Sequence, residues 1–193
     1  MQKIMFDERF GLNSAVMKGT KTMTRRIEVP RKKCYLGNQW SIDNVGEISR
    51  YKVGEVVAIA QTYKSILESE YLPTDKENEV IRLVEEDHIG VCNKMYVRAD
   101  LMPHHIKITG VKLERLQDIS DEDCLKEGIF KTPLDRDLPG YGKDAYEFVQ
   151  PIGKRTIYFG PKEAFASLIG MMCGSDVWVR NPYVMAYTFE RID

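Results

Sequence analysis

Residues 18–27 read KGTKTMTRRI, and this segment carries four basic side chains without an acidic residue to pair with them. The stretch before it, LNSAVMKG at residues 12–19, predicts a short helix with Asn13 or Ser14 as its N-cap and Gly19 at its end. A basic segment in this position is either a solvated surface or a lip that faces phosphate or another anion. Which of the two applies depends on the fold that surrounds the segment.

The bulk composition is that of an ordinary globular protein. The chain has 193 residues, of which 43% are hydrophobic and 30% are charged, and this length suffices for one sizeable domain. No apolar run approaches the roughly 18–20 residues that cross a bilayer, and the first residues lack the apolar stretch of a secretory signal. We therefore expect a cytoplasmic protein that has no membrane partner.

Charge is unevenly distributed along the chain, although the net charge is only −1. Residues 18–33 hold seven basic residues and one acid, Glu28, which gives a local charge of +6. Residues 67–88 hold eight acids against Lys76 and Arg82, which gives a local charge of −6 with histidine neutral. The two segments are either solvated surfaces that cancel, or an anion-binding lip and an acidic face that recruits a basic protein.

The cysteines and histidines do not show the spacing of a metal site. His104 and His105 are adjacent, and on a strand their side chains would point apart. The four cysteines lie far apart without a CxxC pair, and we expect free thiols: Cys34, Cys92, Cys124 and Cys173. No GxGxxG or P-loop motif is present, so we expect neither a metal nor a cofactor.

Three stretches predict strands, namely residues 51–63, 105–116 and 183–192. In the middle stretch the apolar residues change phase after Gly110, which predicts a β-bulge there. Strands do not alternate with helices along the chain, as they would in a parallel α/β fold. The pattern therefore predicts a mostly β fold with α, namely a small, mostly antiparallel barrel or curled sheet with short flanking helices.

Two further segments predict helices and two predict irregular structure. Residues 120–128 begin with a serine N-cap and end on a glycine, and residues 160–174 combine a proline in the first turn with the best amphipathic period of the chain. Acidic or Pro- and Gly-rich composition predicts insertions without regular structure near residues 64–95 and 130–156. We expect a single domain over residues 1–193.

The signature segment, as we call residues 18–27, resembles the motif of the ASCH domain family. It matches the pattern G-x-K-x-x-[TE]-x-R through Gly19, Lys21, Thr24 and Arg26. Four further stretches are similar to the larger phage and bacterial members and follow in the family's order: residues 51–63, 102–105, 111–129 and 181–192. The resemblance implies a PUA-like (ASCH) small β-barrel with flanking short helices and long inserted loops. It also implies a cleft that is lined by the signature segment and binds RNA or a nucleotide.

One branch of the family has a defined chemistry, the hydrolysis of the amide of N(4)-acetylcytidine. The lysine, threonine and glutamate proposed for that reaction would fall on Lys21, Thr24 and Glu127. The chain departs from the family in two ways, because it is far longer than these compact enzymes and because Gln61 stands where larger members often carry an acid.

These residue types suit acyl transfer if they meet in one pocket. A threonine hydroxyl becomes a nucleophile when a base removes its proton, and a lysine serves as that base when burial or neighbouring cations lower its pKa. Arg25 and Arg26 are the neighbouring cations in this sequence. Because Lys21 and Thr24 lie three residues apart, they share a face on a turn but not on a strand. Hydrolysis therefore requires a turn at residues 21–24.

The leading functional hypothesis is binding of RNA or a modified nucleoside in a cleft with a basic rim. In this hypothesis Lys21, Arg25 and Arg26 supply positive charge, and Glu127 accepts a hydrogen bond from a base edge. The second hypothesis is an amidohydrolase of an acylated nucleoside, with Thr24 as nucleophile, Lys21 as base and Glu127 in proton transfer. The third is a protein-interaction module that uses the acidic face. The oligomeric state stays open.

Aromatic residues near predicted loop or strand ends are candidates for stacking on a base. The alternative for each of them is packing in the core, which is the commoner role of a single ring. They are Trp40, Tyr63, Trp178 and Tyr183.

Overall fold

A computed structural model describes residues 1–27, 49–68, 74–133, 144–151 and 155–193. Its strands are β1 (Gln2–Ile4), β2 (Met23–Arg26), β3 (Val56–Ile59), β4 (His105–Arg115), β5 (Phe130–Thr132), β6 (Ala145–Glu147) and β7 (Tyr183–Arg191). Its helices are α1 (Leu12–Met17), α2 (Tyr63–Glu68), α3 (Thr74–Glu85), α4 (Asp121–Lys126), α5 (Pro161–Cys173) and α6 (Val177–Arg180).

Five strands form one mixed sheet, and the other two form a separate antiparallel pair. The order in the larger sheet is β1-β3-β4-β7-β2, and β5 pairs with β6. Strand β1 runs parallel to β3, whereas β3 pairs with β4 and β2 pairs with β7 in antiparallel register. Among the described residues these strands do not close into a barrel. The coarse prediction of strands combined with helices is confirmed, and the PUA-like barrel stays a prediction.

The chain divides into two compact units. The first comprises residues 1–6, 54–108 and 190–193, and the second comprises residues 7–53 and 109–189. The signature segment belongs entirely to the second unit.

In the first unit, two helices and the residues after them share an apolar cluster with β3. Its buried members are Ala58, Ala60, Tyr63, Ile66, Val80, Leu83, Val97, Leu101 and Met102. The prediction of irregular structure near residues 64–95 is wrong at α2 and α3. Val80, Leu83 and Val84 of α3 follow the i, i+3, i+4 spacing of a core-facing helix. The many acids around these three residues conceal that period in the sequence.

Acidic side chains of α3 are partly paired inside the first unit. Glu79 Oε1 accepts hydrogen bonds from Arg82 at 3.0 Å and from Arg98 at 2.8 Å. Arg98 also pairs with Asp100 at 2.6 Å. These pairs neutralise part of the acidic face on which the protein-interaction hypothesis depends.

In the second unit, α5 supplies a buried helix face. It opens with Pro161 in its first turn, as predicted, because the missing N–H of proline is not needed there. The side chains that it buries recur at helical spacing: Ala164, Phe165, Leu168 and Ile169.

The segment near residues 130–156 is not irregular throughout. Phe130 lies opposite Glu147 and Thr132 opposite Ala145, so β5 and β6 form an antiparallel pair. The prediction of a loop is wrong at these residues, because strands of three residues are too short to show a two-residue period in the sequence.

Candidate functional site, a buried charge cluster

The signature segment starts at the end of α1. This helix begins at Leu12 directly after Gly11, so the predicted N-caps Asn13 and Ser14 are wrong. Its end is as predicted, because Gly19 has a left-handed φ of +72° that favours glycine. The N–H of Gly19 donates to the Val16 carbonyl at 2.9 Å, and two further N–H groups, of residues 20 and 21, donate to the Ala15 carbonyl. This Schellman-type ending fixes the backbone where Lys21 begins.

Helix α4 positions the glutamate that the resemblance aligns with the family's site. The Ser120 hydroxyl accepts from the Asp123 N–H at 3.1 Å, which confirms the predicted N-cap. Glu127 follows the last helical residue, and Gly128 turns the chain away with a φ of +105°. The Lys126 carbonyl accepts from the Thr22 N–H at 3.0 Å, so the end of α4 is tied directly to the signature segment.

Lys21 and Glu127 form a buried ion pair, although they are 106 residues apart in the sequence. Lys21 Nζ donates to Glu127 Oε2 at 2.6 Å and to the Glu127 carbonyl at 2.7 Å. Only 2% of Lys21 and 4% of Glu127 are exposed. Burial lowers the pKa of Lys21 and outweighs the opposite effect of the Glu127 carboxylate, and Arg26 and Arg25 lower it further.

Arg25 extends this pair into a network. Its Nε donates to Glu114 Oε1 at 2.7 Å, its Nη1 to Glu127 Oε1 at 3.1 Å and its Nη2 to Asp123 Oδ2 at 3.1 Å. Burial lowers the pKa of the Arg25 guanidinium, but the Glu127 and Glu114 carboxylates outweigh it and hold that pKa above its ordinary value. We call the five side chains the charge cluster: Lys21, Arg25, Glu114, Asp123 and Glu127.

The charge cluster neutralises part of the positive charge of the signature segment. Two cations of the segment meet three carboxylates. Two lysines outside the segment also pair with these carboxylates, Lys112 with Glu114 at 2.7 Å and Lys126 with Asp123 at 3.1 Å. Burial raises the pKa of Asp123, but hydrogen bonds from Lys126 and Arg25 outweigh it and lower that pKa overall. Lys21 and Arg25 are therefore buried and paired inside the protein, whereas Lys18 of the same segment is exposed.

Thr24 lies away from the Lys21 side chain. Residues of β2 form a regular strand and not a turn, and Thr24 stands opposite Tyr187 of β7. Neighbouring residues of a strand point to opposite faces. Because Arg25 points to the charge cluster, Thr24 points to the other face. The structure thus brings Lys21, Arg25 and Glu127 together and leaves Thr24 apart, and the catalytic role of Thr24 stays a prediction.

The remaining predicted residues lie outside the charge cluster. Arg26 is half-buried at the end of β2, on the same face as Thr24. Tyr63 is fully buried, and its hydroxyl accepts from the Arg98 N–H, so its ring belongs to the core. The other aromatic residues differ in setting: Trp178 packs edge-on against Phe165, Tyr183 lies under the Arg115 guanidinium, and Trp40 lies outside the described residues.

Sequence reasoning missed Glu114 and Asp123 as partners of Arg25. A signal for Glu114 is present in β4, where it has the same parity as the buried Ile106 and Ile108. An acid at an inward-facing strand position needs a buried cation. The bulge predicted after Gly110 concealed this signal, because it would have moved Glu114 to the outer face. The alternation is in fact disturbed after Gly110, since Lys112 is exposed whereas Val111 and Leu113 are half-buried, and the bulge stays a prediction.

Neither a metal centre nor a membrane span is found in the described parts of the chain. Across residues 1–27, 49–68, 74–133, 144–151 and 155–193, no three His, Cys, Asp or Glu side chains are grouped as metal ligands. Within the same ranges every helix is too short or too polar to cross a membrane. Cys92, Cys124 and Cys173 are free thiols, and burial raises the pKa of Cys124 to about 12, which makes it a poor nucleophile.

Comparison with family models, with curated proteins and with solved structures finds no match for the chain.

Proposed function

We propose that the chain is an ASCH-type domain of the PUA-like class that binds RNA or a modified nucleoside at the charge cluster. The observation that carries the proposal is the contact between Lys21 and Glu127, at 2.6 Å. The resemblance aligns these two residues with one ligand site in the family, and nothing in their sequence separation requires them to meet. A ligand site that uses both side chains requires them to lie next to each other, as they do in this structure.

Burial of so many charges favours a functional role over a purely structural one. Removing an ion pair from water costs several kcal/mol per ion, and well-packed apolar residues often replace such a pair without loss of stability. The charge cluster keeps Lys21, Arg25, Glu114 and Glu127 almost completely buried. Clusters of ionisable groups with shifted pKa values are concentrated at binding and catalytic sites.

The Lys21–Glu127 pair places a hydrogen-bond donor beside an acceptor. An ammonium offers three donors, and each carboxylate oxygen keeps a second lone pair when one is used. The edge of cytosine presents an amino donor beside an acceptor, which complements this arrangement. Because both side chains are nearly inaccessible, a base must displace part of the cluster to reach them. We therefore expect an association rate below that of rigid docking.

The proposed fold has support from the arrangement of the strands. Four of the five strands of the larger sheet are neighbours in the order β3-β4-β7-β2. Within this run, β3 pairs with β4 and β7 pairs with β2 in antiparallel register. Curled antiparallel sheets with short helices at their ends are the building blocks of small barrels. The closed barrel is therefore proposed, as the ligand is.

Replacing Lys21 with methionine is expected to weaken RNA binding at least about tenfold, since truncating one partner of a buried hydrogen-bonded pair has effects of this size or larger. Methionine keeps the length of the side chain and removes the donor. Fluorescence anisotropy of a labelled, cytidine-containing single-stranded RNA measures the dissociation constant. A steep loss of affinity with salt indicates that phosphates contribute, whereas binding of the free nucleoside should hardly depend on salt.

The matched control is Lys162→Ala, which removes an exposed lysine of α5 outside the charge cluster. It should bind RNA within about twofold of the wild type, because an exposed charge that is screened by solvent and lies outside the charge cluster changes affinity little. Circular dichroism must show that both variants are folded. If the wild type binds neither RNA nor nucleoside, or if Lys21→Met binds as tightly as Lys162→Ala, the proposal is wrong.

A further inference from the structure

A cavity of about 430 Å³ lies in the second unit between α1, the end of α4 and the start of β5. Its walls are mainly apolar: Phe10, Ala15, Leu125, Ile129, Phe130 and Val149. This volume falls in the range of pockets that hold small molecules, which are mostly apolar with a few polar groups. Gly128 also lines the cavity, so it adjoins the charge cluster without including the carboxylates.

Three large apolar side chains of the cavity wall are exposed. Leu125 is 40%, Phe130 45% and Val149 49% exposed. Single exposed apolar residues are normal on a protein surface, but several of them around one concavity mark a binding site. A ligand seated in the cavity would remove this apolar surface from water, which stabilises the complex by the hydrophobic effect.

The polar groups of the cavity favour an anion. Lys18 contributes an exposed ammonium, Ser14 a hydroxyl and Thr20 a hydroxyl that donates to the Ala15 carbonyl at 3.1 Å. No acidic residue is found among the described residues that line the cavity. The Ala15 carbonyl at the end of α1 already accepts hydrogen bonds from the N–H groups of residues 20 and 21. It therefore repels an anion less than the carbonyl of an uncapped helix end would.

We propose that this cavity is a binding site for a small molecule with an apolar ring system and one anionic group. The ring system contacts the apolar walls, and the anionic group pairs with Lys18 at the rim. The proposal goes beyond RNA or nucleoside binding and does not depend on it, because it uses neither Lys21 nor Glu127.

A matched pair of probes tests the site, namely 2-naphthoate and its neutral analogue 2-naphthamide. Isothermal titration calorimetry should show that the wild type binds both, with tighter binding of the carboxylate. In the variant Lys18→Ala the affinity for 2-naphthoate should fall about fivefold, the size expected for an exposed ion pair, whereas that for 2-naphthamide stays unchanged. Lys162→Ala serves again as the control and should leave both affinities unchanged.

A cavity-filling variant and a mapping experiment locate the binding. Ala15→Trp places a large ring in the cavity and should abolish binding of both probes. Independently of any variant, amide chemical-shift changes on addition of 2-naphthoate should be centred on Ala15, Leu125 and Ile129. The proposal is overturned if 2-naphthoate does not bind, if the shift changes lie elsewhere, or if Lys18→Ala binds 2-naphthoate as tightly as the wild type.

Discussion

Replacing Glu127 with alanine is expected to lower the free energy of unfolding by about 3–5 kcal/mol, because it removes a carboxylate that two buried cations share. Lys21 would lose its contact with the Glu127 carboxylate, and Arg25 would lose one of its three carboxylate contacts. The methylenes removed are few, so the electrostatic effect dominates the loss of packing. Urea unfolding followed by circular dichroism measures the difference.

Two further variants separate this effect from a general effect on the helix end. Glu122→Ala removes an exposed acid from the same helix and should change stability by no more than about 0.5 kcal/mol. The double variant Lys21→Met with Glu127→Ala also removes the ammonium that has lost its carboxylate, and it should regain a large part of the lost stability. A loss below about 1 kcal/mol in Glu127→Ala would contradict a buried, partnered glutamate.

Gly128→Ala is expected to lower the free energy of unfolding by about 2–3 kcal/mol, since backbone strain and a close contact act together. Its φ of +105° is a conformation that side chains rarely adopt, and an added Cβ would lie 3.0 Å from Leu12 Cδ2. The same Cβ would lie 3.8 Å from Lys21 Cδ, which is an ordinary van der Waals contact, so the close contact is with Leu12 alone. Thermal and urea unfolding measure the loss.

Gly19 provides the matched comparison, because it also has a positive φ, of +72°, but no atom lies within 4 Å of an added Cβ. Gly19→Ala should therefore lower stability by only about 1 kcal/mol, and Gly19→Asn by less, because asparagine tolerates the left-handed region. If Gly128→Ala is no more harmful than Gly19→Ala, the tight packing of Leu12 against Gly128 is contradicted.

The parts of the fold with strong local signals could be predicted from the sequence. Ser120 and Gly128 bracket α4, Gly19 ends α1, and Pro161 opens α5, because caps and stops act through the backbone groups next to them. The strands β4 and β7 follow from runs of β-branched and aromatic residues. These signals require no knowledge of the rest of the chain.

The contacts of the signature segment could not be predicted in the same way. Arg25 meets Glu114 and Asp123 across 89 and 98 residues, and only the fold decides that these positions are neighbours. In the sequence the segment has no acid of its own, so its charge looks uncompensated. Only the family resemblance pointed to Glu127, whereas nothing predicted that Lys21 and Arg25 would be inside the protein.

Burial changes how the basic side chains of the signature segment can interact with a ligand. Exposed lysines and arginines attract phosphates at long range, whereas Lys21 and Arg25 are held by carboxylates in the interior. In the proposed function we therefore expect these two residues to contact a base selectively rather than to attract a phosphate backbone. Exposed cations such as Lys18 are the groups available for electrostatic attraction.

The most direct measurement is the affinity for cytidine and for uridine, by isothermal titration calorimetry, of the wild type and of Glu127→Gln. The two nucleosides differ where cytosine carries an amino donor and uracil an acceptor. If Glu127 accepts from that amine, the wild type prefers cytidine by about tenfold or more, and Glu127→Gln, whose amide also donates, loses this preference. Equal affinities in the wild type, or an unchanged preference in the folded variant, would contradict recognition of a base at the charge cluster.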